Sequence, residues 1–287
     1  MDTTNIETEE DVFDWATHLK DFLRSDEETN IEIAFQFLTS LGLMQDEELY
    51  ALLRSTDMKI SYCLRYDVFE PILSIINLDL HTWNVEEILS KIPRLVELQT
   101  LNIAQCNIKR LPHDFSLLTQ LNVLNLSFNK LNELPKDFKQ LNQLTDLDLE
   151  RNPLTSLPDG FWELTKLQKL SLEDTKIKSI EGIGNLKNLE ELDLRDSEIT
   201  VIPSEISNLE NLKALKIARS PIKLLPDSMQ ALQALEVLYI GGIDGLNLPE
   251  WVLELKNLKE ISLSKFQITE DLETKLRATM PTLVIKF

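Results

Sequence analysis

The sequence is poor in the residues that most often form disulfides, metal sites and membrane spans. Among 287 residues there are only two cysteines, three histidines and seven glycines. Cys63 and Cys106 form no CxxC motif and no other paired spacing, which suits a reducing compartment and argues against disulfide-bonded ends. No run of 18 apolar residues is present, so the sequence does not predict a membrane-spanning helix.

Basic residues are scarce compared with acidic ones. Lysine and arginine number 29 against 48 aspartates and glutamates, and the formal net charge is −19. A surplus of negative charge disfavours nucleic acid or an anionic membrane surface as a partner. The N-terminus reads MDTTNIETEEDVFDW, acidic where a secretion signal is basic, and no apolar segment follows it. We therefore expect a cytoplasmic protein.

Motifs of enzyme active sites and metal centres are also missing. His18, His81 and His113 are scattered, and no HxxxH, HExxH or Cys/His cluster occurs. The sequence contains no GxSxG, no GxxxxGK[ST] and no GxGxxG. We expect no catalytic residue, no cofactor and no bound metal.

Leucine, in contrast, recurs at a fixed spacing of 23 residues. The stretch 121–143 reads LNVLNLSFNKLNELPKDFKQLNQ, and 144–166 reads LTDLDLERNPLTSLPDGFWELTK. Nine positions are shared by the two units, from Leu121 and Leu144 to Leu141 and Leu164. A repeat of this length cannot bury its own apolar face, so it must stack on its neighbours in a solenoid.

Nine such repeats can be placed over residues 75–270. They begin at Ile75, Leu98, Leu121, Leu144, Leu167, Leu189, Leu212, Leu235 and Leu258. One step is a residue shorter than the others, and glycine at Gly182 permits the tighter turn that this requires. The first and eighth repeats are irregular, with Trp83 and Ile243 at the position that asparagine holds in the central units.

The pattern LxxLxLxxNxLxxLPxxFxxL resembles the typical 23-residue class of leucine-rich repeat proteins, of the bacterial intracellular type. The resemblance implies an α/β solenoid, with a curved parallel β-sheet on the concave face and 3₁₀ or irregular turns on the convex face. The alternation of apolar and polar residues in each LxLxx segment is itself typical of a half-buried strand.

In that family the asparagine of the motif caps backbone groups of neighbouring turns, and the stacked residues form a ladder. We expect the ladder to be polar in the middle and apolar at the ends. Its members here are Trp83, Cys106, Asn129, Asn152, Thr175, Ser197, Ser220, Ile243 and Phe266.

Residues 1–74 carry no repeat signature. They contain 17 acidic and 5 basic residues, and helical spacing predicts helices over 9–23, up to Gly42, from Asp46 and over 60–69. Ser25 and Glu28 suggest a capping box for the second of these helices. We predict an acidic helical cap that covers the first repeat, and docking of a partner by the same segment stays open.

Residues 271–287 form a predicted C-terminal cap. A helix is expected over 271–279, Pro281 ends it, and 283–287 supply a short strand.

The side chains of the concave face do not serve the core, so they are the candidate partner-binding residues. An acidic patch lies beside a basic strip, and two aromatic residues flank them; aromatic side chains are enriched at interfaces. The set comprises Phe128, Asp146, Asp148, Glu150, Arg151, Glu173, Asp174, Glu191, Asp193, Arg195, Asp196, Lys216, Arg219 and Tyr239.

These observations favour a monomeric, non-enzymatic scaffold that binds a protein or peptide of basic or mixed charge on its concave face. Three alternatives stay open. The protein could be a secreted bacterial effector or adhesin that uses the same face, or the charges could serve only to keep the sheet soluble. It could also be an enzyme with a concave-face site at Asp148 or at His81, which lies beside Asp79.

Overall fold

The computed structural model describes residues 9–41 and 46–287. The predictions of frayed residues 1–8 and of Gly42 as the end of the second helix lie outside this part of the chain. No helix in these two ranges is long and apolar enough to cross a membrane.

Within residues 9–41 and 46–74, four helices precede the repeats. They are α1 (Glu9–Arg24), α2 (Glu28–Leu41), α3 (Glu47–Leu53) and α4 (Asp57–Arg65). Asp46 caps α3 by accepting hydrogen bonds from the amides of Glu48 and Leu49, and Thr56 caps α4 through the amide of Lys59.

Two local predictions in this region were wrong. The capping box of Ser25 and Glu28 does not form, because the helix begins only at Glu28; Ser25 Oγ instead accepts from the amide of Glu27 at 3.1 Å. The fourth helix covers Asp57–Arg65 rather than 60–69. It starts at the Thr56 cap, and it cannot continue past Asp67, whose φ of 61° lies in the left-handed region.

The helices contact the first repeat directly. Lys91 Nζ donates to the carbonyl of Arg65 at 2.9 Å, and the guanidinium of Arg94 lies 3.3 Å from the centre of the Phe69 ring. The amide of Asp79, on the first strand, points to a carboxylate oxygen of Asp57 at 3.4 Å. The buried residues of both regions form one continuous apolar core.

In the part of the chain that the structure describes, ten parallel strands form one open sheet in sequence order. The strands are β1 (Asn77–Asp79), β2 (Thr100–Asn102), β3 (Val123–Asn125), β4 (Asp146–Asp148), β5 (Lys169–Ser171), β6 (Glu191–Asp193), β7 (Ala214–Lys216), β8 (Val237–Tyr239), β9 (Glu260–Ser262) and β10 (Val284–Lys286). Leu124 pairs with Leu147, and Leu147 with Leu170, so equivalent residues of successive repeats lie side by side. The predicted leucine-rich repeat solenoid is therefore confirmed.

The side of the sheet that faces the core is closed by short 3₁₀ turns. Phe138 and Phe161, one from each central repeat, are buried, and their rings stack 6.2 Å apart. In the short repeat, Gly182 has a φ of 95°, and a Cβ atom there would lie 2.3 Å from Cδ1 of Trp162. Glycine is thus required at this turn both for its conformation and for the space that the indole occupies.

The polar ladder forms in the central repeats as predicted. Asn152 Oδ1 accepts from the amide of Leu131 at 3.0 Å, and its Nδ2 donates to the carbonyl of Leu126 at 2.9 Å. Thr175 Oγ1 donates one hydrogen bond, to the carbonyl of Leu172. At the ladder position of the eighth repeat, Ile243 is fully buried among apolar residues.

Phe266, however, is not a member of the ladder. Its side chain is exposed, and the buried residue is Gln267, whose Nε2 donates to the carbonyl of Ile240 at 2.9 Å. A 3₁₀ turn over Lys265–Gln267, capped by Ser264, shifts the chain by one residue and brings the glutamine inward. The last rung is therefore polar.

The C-terminal region contains helix α5 (Glu270–Thr279), and strand β10 pairs with β9 through Ile285 and Ile261. The division of the chain into 1–74, 75–270 and 271–287 stays a prediction.

Candidate functional site

The exposed side of the sheet carries six of the fourteen predicted binding residues, and the other eight follow the strand ends. We call it the outer sheet face and define it by two rows of strand residues. One row contains Asp146, Lys169 and Glu191, paired strand to strand. The other row runs through Asp148, Ser171, Asp193, Lys216 and Tyr239.

An ionic network occupies the middle of this face. Arg195 Nε lies 2.9 Å from Asp193 Oδ1, its Nη2 lies 2.7 Å from Asp193 Oδ2, and the same nitrogen contacts Glu173. Lys216 lies 3.6 Å from Asp193 and also contacts Glu191. The hydrogen bonds that Arg195 donates to the Asp193 carboxylate raise the pKa of Arg195. Asp193 is only 5% exposed, so it serves mainly to hold two cations in place.

A second line of predicted residues follows the strand ends, where each repeat turns with a positive φ. Phe128, Arg151, Asp174, Asp196 and Arg219 have φ values of 51–58°, and their amides donate to the next repeat. Their side chains also interact along the line. Arg151 lies 4.7 Å over the ring of Phe128 and 3.6 Å from Asp174, and Arg219 Nε lies 2.8 Å from Asp196 Oδ1.

The outer sheet face contains a shallow cavity of about 270 Å³. It opens above β5, where the small side chain of Ser171 separates Asp148 from Asp193. Val123 and Asn125 of β3 line one side of the cavity. Lys169 and Glu191, which lie in the same row as Asp146, also line it.

The carboxylates on the central strands and on the turns that follow them differ in how well their charge is compensated. Burial raises the pKa of Asp148, Glu150 and Glu173, and repulsion from neighbouring carboxylates adds to the shift. For Asp196 the hydrogen bonds from Arg219 lower the pKa. The ionised form of the carboxylates near β4 and β5 is therefore destabilised by its surroundings, whereas Arg219 stabilises the ionised form of Asp196.

Tyr239 is held by a residue that the sequence did not single out. Its hydroxyl donates to Glu260 Oε1 at 2.5 Å, and Glu260 also binds Lys286 Nζ at 2.6 Å. Ser171 was likewise missed as part of the cavity. The 23-residue register places Glu260 and Ser171 on the outer sheet face, so the spacing alone could have indicated both.

The structure does not bring together His81 and Asp148, the two residues considered for an enzyme with a concave-face site. His81 Nδ1 lies 2.7 Å from Asp79 Oδ1 just after β1, whereas Asp148 lies on β4 with two strands between them. Within 9–41 and 46–287, no group of three or more His, Cys, Asp or Glu side chains is placed to hold a metal ion. Cys63 and Cys106 are buried free thiols, and burial raises the pKa of each.

We expect Asp148→Asn to stabilise the protein at pH 7. A carboxyl whose pKa is raised in the folded state destabilises that state when it ionises, and this penalty is absent below the unfolded pKa of about 3.9. The gain from Asp148→Asn should therefore shrink as pH falls through the folded pKa of Asp148. Urea denaturation of the wild type and of Asp148→Asn, repeated between pH 7 and pH 4, measures the difference in their free energies of unfolding.

Asp196→Asn is the matched control with the opposite sign. Its lowered pKa means that its carboxylate stabilises the fold above the unfolded pKa, and this contribution is lost as pH falls through the folded value. The variant should be less stable than wild type at pH 7. Equal stability changes at the two positions would contradict the electrostatic description of this face.

Comparison with known proteins agrees with the assignment of the repeats. A family model described as a leucine-rich repeat region matches residues 118–198 and 179–280. The chain belongs to the leucine-rich repeat family. No curated protein gives a significant match to it.

Solved structures of bacterial leucine-rich repeat proteins are similar to this chain. LIC12759 of Leptospira interrogans is 27% identical with a TM-score of 0.64; the match covers 76% of this chain and 62% of LIC12759, so the chain spans about three fifths of that protein. The internalin InlF of Listeria monocytogenes has a TM-score of 0.66 at 18% identity. The match covers 95% of this chain and 94% of InlF. Internalin C2 of Listeria monocytogenes has a TM-score of 0.59 at 23% identity. The match covers 67% of this chain and 82% of internalin C2.

Proposed function

We propose that this leucine-rich repeat protein is a non-enzymatic scaffold that binds a basic or mixed-charge segment of a protein on its outer sheet face. The observation that carries the proposal is the cavity above Ser171, which Asp148 lines and where burial raises the pKa of its carboxyl. The Asp148 carboxylate accepts a hydrogen bond from the amide of Glu150 at 2.9 Å, and in the described part of the chain no cationic side chain lies within 4 Å of it. A lysine or arginine from a partner would supply the missing charge.

The geometry favours arginine over lysine at this position. Asp146 and Asp148 lie two residues apart on β4 and both line the cavity, so their Cα atoms are separated by roughly 7 Å, given a rise of about 3.3 Å per residue. A guanidinium presents five donors in a planar fork and can bond to more than one carboxylate. Val123, which is 39% exposed at the cavity wall, can contact the aliphatic part of such a side chain.

The proposal also draws on the family, because leucine-rich repeat proteins in general bind other proteins. A cytoplasmic location and a monomeric state remain part of the proposal. Two free, buried cysteines suit a reducing compartment. Finding the intact protein outside cells, without a cytoplasmic marker protein, would contradict that location.

The test replaces Asp146 and Asp148 together by asparagine. Asp193 is unsuitable for a binding test, because its loss would release Arg195 and Lys216. We expect Asp146→Asn with Asp148→Asn to weaken binding of an arginine-rich peptide about tenfold, which corresponds to about 1.4 kcal/mol. Calorimetric titration measures this, and wild-type binding should weaken as salt rises from 0.05 to 0.5 M.

The control changes two exposed carboxylates at the 3₁₀ turns, Asp114→Asn with Asp137→Asn. This variant should bind like wild type. Binding that survives the change on the outer sheet face and disappears in the control would place the binding surface on the opposite side.

A further inference from the structure

A second recess lies away from the outer sheet face. It is a cleft of about 620 Å³ between the loops that follow β1 and β2. We call it the Trp83 cleft and define it by Trp83, Glu86, Leu89, Lys109, Arg110 and Lys130, which line it. None of these residues belongs to the candidate partner-binding set.

The cleft exists because the first repeat departs from the pattern. In the next pair of repeats, the amide of Lys130 donates to the carbonyl of Ile108 at 2.8 Å and ties the two loops together. The equivalent carbonyl in the first repeat belongs to Val85. It accepts instead from the amide of Leu89 at 2.8 Å, within its own repeat. Segment 85–89 therefore turns back on itself, and the two loops are left apart.

The charge of the cleft is opposite to that of the protein as a whole. Three exposed cations, Lys109, Arg110 and Lys130, line it against the single carboxylate of Glu86. In the described part of the chain, no carboxylate lies within 4 Å of the ammonium of Lys109 or Lys130. Arg110 reaches Glu133 only at 3.9 Å, with both side chains at least 70% exposed, so that contact contributes little.

The apolar part of the cleft is formed by Trp83 and Leu89, which are half-buried. A small metabolite is normally oriented by a few buried polar groups. The cations here stand instead on long, exposed stems, which suits attraction of an acidic chain better than a fixed pose of a small anion. An apolar or aromatic side chain of that chain would pack on the indole.

We propose that the Trp83 cleft binds an acidic segment of a partner protein, with one aromatic or large aliphatic residue seated against Trp83. This surface is separate from the one proposed above and has the opposite charge preference. The protein would then hold a basic segment on its sheet and an acidic segment at its first repeats. The net charge of −19 opposes an acidic ligand, but at 0.15 M salt charges beyond about 8 Å are largely screened.

The experiment uses the full chain and a fluorescein-labelled peptide, Gly-Glu-Asp-Phe-Glu-Asp-Gly, followed by fluorescence anisotropy at 0.15 M salt. Lys109→Glu with Lys130→Glu should raise the dissociation constant at least tenfold. The control, Lys187→Glu with Lys223→Glu, changes two exposed lysines outside the cleft by the same charge and should stay within twofold of wild type. Circular dichroism melts of both variants check that the fold is retained.

Two further peptides and one salt test the chemistry. Replacing phenylalanine by alanine in the peptide should weaken binding at least threefold, and Gly-Lys-Arg-Phe-Lys-Arg-Gly should not compete for the cleft. Equal weakening by the two lysine pairs would overturn the proposal. So would complete displacement of the peptide by 10 mM inorganic phosphate, which would make the cleft a small-anion site. Dimerisation that Lys109→Glu with Lys130→Glu abolishes would assign the cleft to a second copy and also overturn it.

Discussion

Replacing Asn129 by alanine is expected to lower the free energy of unfolding by about 3–5 kcal/mol, because each buried backbone group left without a partner costs about 1–3 kcal/mol. Asn129 Oδ1 accepts from the amides of Cys106 at 3.1 Å and Ile108 at 2.9 Å. Its Nδ2 donates to the carbonyls of Ile103 at 2.8 Å and Leu126 at 2.9 Å. One side chain thus links two consecutive repeats, and alanine can replace none of these bonds.

Chemical denaturation followed by circular dichroism measures the change, with the slope against denaturant checked for two-state behaviour. Asn132→Ala is the control, since Asn132 is an exposed asparagine three residues away and surface changes usually stay within about 0.5 kcal/mol. Thr175→Val should fall between the two, because Thr175 makes a single buried bond of 2.8 Å. A loss below about 1 kcal/mol for Asn129→Ala would mean that the ladder does not stabilise the repeats.

Removing residues 1–74 is expected to make the remaining repeats aggregate. Val68, Phe69 and Ile72 are at most 6% exposed and belong to the core that continues into the first repeat. Their removal exposes apolar surface, and it also frees the edge of β1, to which Asp57 now lies adjacent. An uncovered strand edge beside apolar surface is a template for association between chains.

Sedimentation velocity of the 75–287 fragment against the full chain measures this outcome. Phe69→Ala in the full chain serves as a milder control, since it removes one ring from beneath Arg94 and leaves the strand edge covered. That variant should be less stable and still monomeric. A soluble, monomeric fragment as stable as the full chain would show that residues 1–74 are an independent module and not a cap.

The strong parts of the repeat pattern were sufficient to predict the sheet. The leucine spacing identified every pairing from Leu78 to Leu238, and the alternation within LxLxx indicated which residues face outward. The weak parts were insufficient. Phe266 occupied the expected ladder position by counting, yet the Ser264 cap shifts the chain and buries Gln267 instead. Counting assumes that every turn has the same length, and a local hydrogen bond can change that length by one residue.

The sequence by itself determined the family, the parallel sheet, the polar ladder of the central repeats and the acidic character of the outer sheet face. Tertiary structure decided which of these charges are paired with a side chain of opposite charge. Asp148 and Asp193 are both aspartates at the third position of a strand, but only Asp193 is enclosed by Arg195 and Lys216. That difference depends on side chains brought together from neighbouring strands, because compensation of a charge is set by distance and burial rather than by position in a repeat.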